Sequence, residues 1–129
     1  MNVRHNPIPV TPGFETIYAH AVETSIESRT LYVSGQIGKH ADGSVPPSFE
    51  GQFRLAIANL EEVLVTAGMA IADVAKVTYY LTRAADLGKL GELRRELLAI
   101  APAVTTLVIS GLAAPDLLVE IDVIAAVRD

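Results

Sequence analysis

The sequence predicts an α+β fold, with one mixed β-sheet and two helices packed on a single face of it. Segments rich in β-formers precede, separate and follow two stretches with helical periodicity, and no repeat or low-complexity tract interrupts this order. The chain has 129 residues, half of them hydrophobic, which suffices for one buried core but not for two. We therefore expect residues 1–129 to form one domain.

The first half of the chain contains one strand and the clearest helix. Leu31 to Gly35 has the composition of a strand. Apolar residues then recur at helical spacing from Phe49 to Ala67, with Ser48 available as the N-cap and Gly68 where a helix usually stops.

The second half predicts strand, helix and two further strands. Asp73 to Leu81 is rich in β-branched and aromatic residues. A helix follows and ends before Pro102, and its apolar face consists of Leu90, Leu93, Leu97 and Ile100. Val104 to Ile109 and Leu117 to Ala126 then form two strands, separated by a turn.

Composition disfavours several classes of protein. The net charge is −5 with acids and bases interspersed, so no basic stripe is available for nucleic acid. There is no cysteine, and the three histidines lack metal-ligand spacing, so we expect neither a metal nor another cofactor. The N-terminus lacks an apolar signal segment, and no run of about 18 apolar residues occurs. We expect a cytoplasmic protein that does not bind membranes.

The apolar content also predicts self-association. A small domain hides only about two thirds of its unfolded surface, so part of the apolar surface should lie between subunits. The strand over Leu117 to Ala126 is apolar on much of both faces, while the two helices cover only one face of the sheet. Another subunit is the expected cover for the other face.

Three segments resemble the RidA (YjgF, L-PSP endoribonuclease-like) family, whose fold is chorismate mutase-like. They are Ser34-Gly35-Gln36-Ile37-Gly38, Pro102-Ala103-Val104-Thr105-Thr106 and Val119-Glu120-Ile121-Asp122. The resemblance runs from Tyr18 to Ala126. It implies a homotrimer with small-molecule clefts between neighbouring subunits, and hydrolysis of reactive enamines and imines to keto acids and ammonia.

Glu120 is the main catalytic candidate. Because side chains alternate along a strand, Glu120 and Asp122 point to the same face. The resemblance implies that Glu120 positions a water molecule in a cleft. The alternative for both residues is a solvated acidic stripe on an apolar strand.

Tyr18 and His20 are the remaining catalytic candidates. The number of residues between Tyr18 and Ser34 resembles the spacing in the family between its N-terminal active-site tyrosine and the S-G-Q segment. An extended segment from Ile17 to Val22 would place Tyr18 and His20 on one face. Tyr18 or His20 would then assist proton transfer. The alternative is that they are ordinary packing residues.

The resemblance implies that four further residues line the cleft: Ser34, Gly35, Thr105 and Gly111. Ser34 is not expected to be a nucleophile, because the sequence lacks the G-x-S-x-G elbow of serine hydrolases. Val104 stands where the family carries the arginine that clamps a substrate carboxylate, a role that valine cannot fill.

Two functions therefore remain open. One is a divergent hydrolase of small imines, enamines or related compounds that does not turn over 2-imino acids efficiently. The other is a non-catalytic trimer whose cleft binds a metabolite. Endoribonuclease activity is disfavoured by the acidic charge of the chain.

Overall fold

A computed structural model describes residues 2–7, 18–98 and 100–129 of the chain. Its elements, in order, are β1 (Val3–His5), β2 (Ala21–Glu23), β3 (Arg29–Ile37), α1 (Phe49–Thr66), β4 (Val74–Leu81), α2 (Leu87–Leu97), β5 (Ala103–Val108) and β6 (Val119–Val127). Short 3-10 turns precede β4 and α2. The predicted α+β class is confirmed.

The main sheet has four strands in the order β3-β6-β4-β5. The β3/β6 and β6/β4 pairs are antiparallel, whereas β4 and β5 run parallel, so the sheet is mixed as predicted. The short strands β1 and β2 form a separate antiparallel pair, which the sequence analysis did not predict. Each of them has three residues, too few to show an alternating pattern.

Both helices lie on one face of the main sheet. Ser48 caps α1 by accepting a hydrogen bond from the Gly51 N–H at 3.0 Å, and Gly68 follows the helix with a φ of 69°. The main core forms between the helices and the sheet, where Phe53, Leu60 and Ile121 are fully buried. The opposite face of the sheet, hereafter the open face, carries no helix among the described residues.

Candidate functional site

The open face is built from alternate residues of adjacent strands. The pairing of β6, β4 and β5 aligns its side chains in three rows: Glu120-Tyr80-Leu107, Asp122-Thr78-Thr105 and Ile124-Lys76-Ala103. The intervening residues, such as Val77, Tyr79 and Ile121, point to the helices and are buried. The two carboxylates therefore share a face, as the period of two predicts.

Glu120 lies against a β-bulge in β3. Val33 pairs with Val123 and Gln36 with Ile121. Two residues of β3, Ser34 and Gly35, therefore lie opposite the single residue Asp122 of β6. A Cβ atom added to Gly35 would lie 2.1 Å from Glu120 Oε2, which means that the carboxylate fills the space a side chain would occupy. The structure thus brings together three residues that the sequence singled out: Ser34, Gly35 and Glu120.

Tyr80 joins this group through Asp122. The Tyr80 hydroxyl donates a hydrogen bond to Asp122 Oδ2 at 2.9 Å. This hydrogen bond, followed by partial desolvation and the negative charges of Asp122 and Glu120, raises the pKa of the Tyr80 phenol. At neutral pH the phenol therefore keeps its proton and donates a hydrogen bond. We call Tyr80, Glu120, Asp122 and the Ser34–Gly35 bulge the carboxylate cluster.

A buried glutamine, which the sequence analysis missed, holds the chain just before β6. Gln52 on α1 is fully buried, and its amide nitrogen donates to the carbonyls of Pro46 and Asp116 at 2.9 Å each. Its Oε1 accepts from the Leu118 N–H at 2.8 Å. Leu118 lies two residues before Glu120, so these hydrogen bonds hold the backbone in place where it enters β6, the strand that carries Glu120. The signal in the sequence was a polar residue on the apolar face of the helix.

A second group of predicted residues lies at the other end of the open face. A groove of about 490 Å³, hereafter the Lys76 groove, is lined by His20, Ala21, Val22, Thr24, Ala75, Lys76, Ala103, Val104, Thr105 and Ile124. The Tyr18 and His20 rings meet edge to face, with centroids 5.6 Å apart. Their role in proton transfer stays a prediction. Ile17 lies outside the described residues.

Val104 and Thr105 occupy different faces of β5. Thr105 pairs with Thr78 on the open face and accepts a hydrogen bond from Lys76 Nζ at 2.6 Å. Val104 pairs with buried Val77 and packs partly against the core, while also lining the Lys76 groove. In one chain, Val104 and Glu120 therefore do not face each other.

The two groups are well separated within one chain. Lys76 and Tyr80 are four residues apart on β4, which corresponds to about 13 Å along a strand. Tyr18 and His20 therefore do not reach Glu120 in the same chain. Gly111 lies elsewhere again, in the exposed loop between β5 and β6, in a depression that includes Thr82 and Ser110.

Two features are absent from residues 2–7, 18–98 and 100–129. No helix in these ranges is long and apolar enough to cross a membrane. No group of three or more histidine, aspartate or glutamate side chains in the same ranges could hold a metal ion. The cytoplasmic location stays a prediction.

Comparison with known proteins places this geometry in a family. Residues 10–127 match the family model described as Endoribonuclease L-PSP. The chain is 40% identical over 72 residues to the RutC family protein YjgH of Escherichia coli, a match that spans 54% of this chain and 55% of the relative. It is 36% identical over 78 residues to the 2-iminobutanoate/2-iminopropanoate deaminase of Rattus norvegicus, spanning 59% and 55%. The chain thus spans little more than half the length of these two relatives.

Solved structures agree with the sequence matches. YyfB of Yersinia pestis, a protein of unknown function from the Rid family, superposes with a TM-score of 0.87 at 30% identity, and the match covers 98% of both chains. The likeness therefore includes both helices and the whole four-stranded sheet.

Proposed function

The chain belongs to the Endoribonuclease L-PSP family, which includes the RidA and YjgF proteins, and we propose that it is a homotrimeric hydrolase of small imines or enamines. The observation that carries this proposal is the Glu120 carboxylate, seated on the Gly35 bulge at the open face. Members that resemble this chain include proteins named as imine deaminases. That this chain itself acts on small imines or enamines is part of the proposal.

Glu120 would act as a base toward water. Water adds to the imine carbon while Glu120 takes one of its protons, and Glu120 then passes that proton to the nitrogen, which gives a neutral carbinolamine. Collapse of the resulting carbinolamine releases ammonia and leaves a carbonyl compound. Tyr80 keeps its proton at neutral pH and holds Asp122, which leaves Glu120 as the carboxylate that is not engaged by this phenol.

A neighbouring subunit would complete the site. Within one chain the carboxylate cluster and the Lys76 groove lie about 13 Å apart. In the proposed trimer, the carboxylate cluster of one subunit meets the Lys76 groove of the next, which His20 lines and where Tyr18 contacts the His20 ring. The open face supports such an assembly, because Tyr32 remains 77% exposed there beside Ile124.

A non-catalytic trimer that binds a metabolite is the second candidate. It is favoured by the separation of Tyr18 and His20 from Glu120 in one chain, and by the apolar Val104 at the family's arginine position. Endoribonuclease activity is not proposed, since a net charge of −5 opposes binding to RNA.

Sedimentation equilibrium tests the assembly on which both candidates depend. The expected mass is about three times the 13.7 kDa of one chain. Tyr32→Glu places a charge on the open face and should dissociate the trimer. Val65→Glu is the matched control, because Val65 is 66% exposed on α1 and lies away from the open face. A monomeric wild-type protein would remove the inter-subunit site, and a Tyr32→Glu trimer would place the interface elsewhere.

A further inference from the structure

A second pocket lies beside the N-terminal strands, away from the carboxylate cluster. It has a volume of about 440 Å³ and is bounded by β1, β2, the 3-10 turn before β4, the segment before β5 and the end of β6. Of the described residues, only Val22 lines both this pocket and the Lys76 groove. Arg4 is the register partner of Val22 in the β1/β2 pair and belongs to the same wall. We call this cavity the Arg4 pocket.

Two opposite charges line the Arg4 pocket without neutralising each other. Arg4 and Asp73 both belong to its wall. Neither forms an ion pair with the other, or with any further residue in the described ranges. Arg128 also lines the pocket, but it is paired with Glu27. The pocket therefore presents one cation and one anion that are both available to a ligand.

Arg4 is oriented to receive a carboxylate. Its Nε donates to the Ala101 carbonyl at 2.9 Å, which restrains the guanidinium. The two terminal nitrogens carry four more N–H donors, and the part of the chain that the structure describes provides no hydrogen-bond acceptor for them. A carboxylate can accept two of these hydrogen bonds in parallel, which is the arrangement that a guanidinium favours.

Asp73 is suited to an ammonium group. Its Oδ2 accepts from the Ala70 N–H at 2.9 Å, which holds the side chain and leaves Oδ1 able to accept from a ligand. Arg29 also interacts with the charge of Asp73, but its guanidinium is engaged by Asp129 at 2.6 and 3.1 Å. A phosphate in this pocket would be repelled by Asp73. A ligand with both charges satisfies Arg4 and Asp73 together.

The rest of the pocket is apolar. Its other lining residues include Val22, Ala72, Val74, Ile100, Ala126 and Val127. Val74 and Ala126 are buried, so part of this surface is backed by the core. The volume lies in the range of small-molecule sites. We propose that the Arg4 pocket binds a free α-amino acid with a hydrocarbon side chain, with the carboxylate on Arg4, the ammonium on Asp73 and the side chain on the apolar surface.

This site goes beyond the proposed hydrolase function. Its described wall contains neither Glu120 nor any member of the carboxylate cluster, and it shares neither Lys76 nor Val104 with the groove on the open face. All of its described lining belongs to one chain. Binding here therefore needs neither turnover nor the proposed trimer.

Titration of the full chain with L-leucine, followed by NMR of the Ala72 and Val127 amides, tests the proposal. Two analogues each remove one charge: 4-methylpentanoate lacks the ammonium, and 3-methylbutylamine lacks the carboxylate. We expect saturable shifts at both amides with leucine, and binding at least about 10-fold weaker with either analogue.

Variants identify the two charged groups. Arg4→Met and Asp73→Asn should each weaken leucine binding by about 10-fold to 100-fold. Asp73→Asn keeps the size of the side chain and an oxygen for the Ala70 N–H, so it tests the charge without loss of that hydrogen bond. Arg95→Met is the control, because it removes an equal charge from an exposed residue of α2 outside the pocket.

The proposal would be overturned if leucine caused no saturable shift, if 4-methylpentanoate bound as tightly as leucine, or if folded Asp73→Asn kept the wild-type affinity. Leucine shifts confined to Thr105 would place the ligand in the Lys76 groove and would also refute it. Failure of the hydrolase proposal is distinguishable, since leucine binding without any turnover would exclude only the hydrolase. Turnover that depends on Glu120 without leucine binding would exclude only the amino-acid site.

Discussion

Gly35→Ala is the perturbation that most specifically moves the Glu120 carboxylate. The new Cβ atom would lie 2.1 Å from Glu120 Oε2, 2.5 Å from Cδ and 2.8 Å from Cγ. An ordinary contact needs about 3.4 Å, so Oε2 must move by about 1.3 Å. Gly35 has no left-handed φ, and its backbone therefore accepts alanine without strain. The whole effect should arise from displacement of Glu120.

The size of the effect follows from this geometry. All three atoms belong to one side chain, so rotation of Glu120 relieves the clash without a shift of the backbone. An off-rotamer side chain costs about 0.5–1.5 kcal/mol, and local overpacking about 1–3 kcal/mol. We expect the free energy of unfolding to fall by about 1–3 kcal/mol.

A double-mutant cycle with Glu120→Ala, measured by chemical denaturation at one protein concentration, isolates the contact. In the Glu120→Ala background, Gly35→Ala should cost almost nothing. Gly88→Ala is the control, because no atom lies within 4 Å of the added Cβ. Gly88 lies in α2, where alanine is the better helix former, so this change should stabilise the protein by about 0.5–1 kcal/mol. An equal cost of Gly35→Ala in both backgrounds would refute the contact between the bulge and Glu120.

Two further predictions follow from the site. In a spectrophotometric pH titration, Tyr79→Phe and Tyr80→Phe should each remove a phenol that ionises above the ordinary pKa near 10. Burial raises the pKa of Tyr79, and the hydrogen bond to Asp122 raises the pKa of Tyr80. Loss of a phenol that ionises at or below the ordinary value would contradict this. The raised pKa of Tyr80 stabilises the fold below about pH 10, and this contribution should disappear as the pH rises through the folded-state value. Val104→Arg should raise the affinity for 2-oxobutanoate, measured by calorimetric titration, by about 10-fold to 100-fold. It should also lower the free energy of unfolding by about 1–3 kcal/mol, because Val104 packs partly on the core. Unchanged affinity in a folded variant would show that position 104 does not face the ligand.

The sequence predicted what depends on periodicity within one element. The spacing from Phe49 to Ala67 placed α1, with Ser48 at its cap, and the period of two placed Glu120 and Asp122 on one face. The resemblance to a family added the expectation of a homotrimer with clefts between its subunits. None of these predictions required knowledge of which residues face each other across the sheet.

The rest of the site depends on register between strands. The contact of Gly35 with Glu120 exists because β3 has one extra residue opposite β6, which no local pattern indicates. Tyr80 meets Asp122 only through the antiparallel pairing of β4 and β6. Lys76 shares the open face with Tyr80, but only the parallel partner β5 places it beside Thr105.

Ammonia release from small imines generated in situ tests the central claim most directly. The assay compares 2-iminobutanoate with an imine that lacks a carboxylate, using wild type, Glu120→Gln and Asp122→Asn. We expect the wild type to accelerate release from the second imine above the spontaneous rate and to act poorly on 2-iminobutanoate. Glu120→Gln should lower turnover by about 100-fold or more while the trimer persists, and Asp122→Asn should have a much smaller effect. Unchanged turnover in Glu120→Gln, or no acceleration by a wild-type trimer, would contradict the assignment of Glu120 as the base.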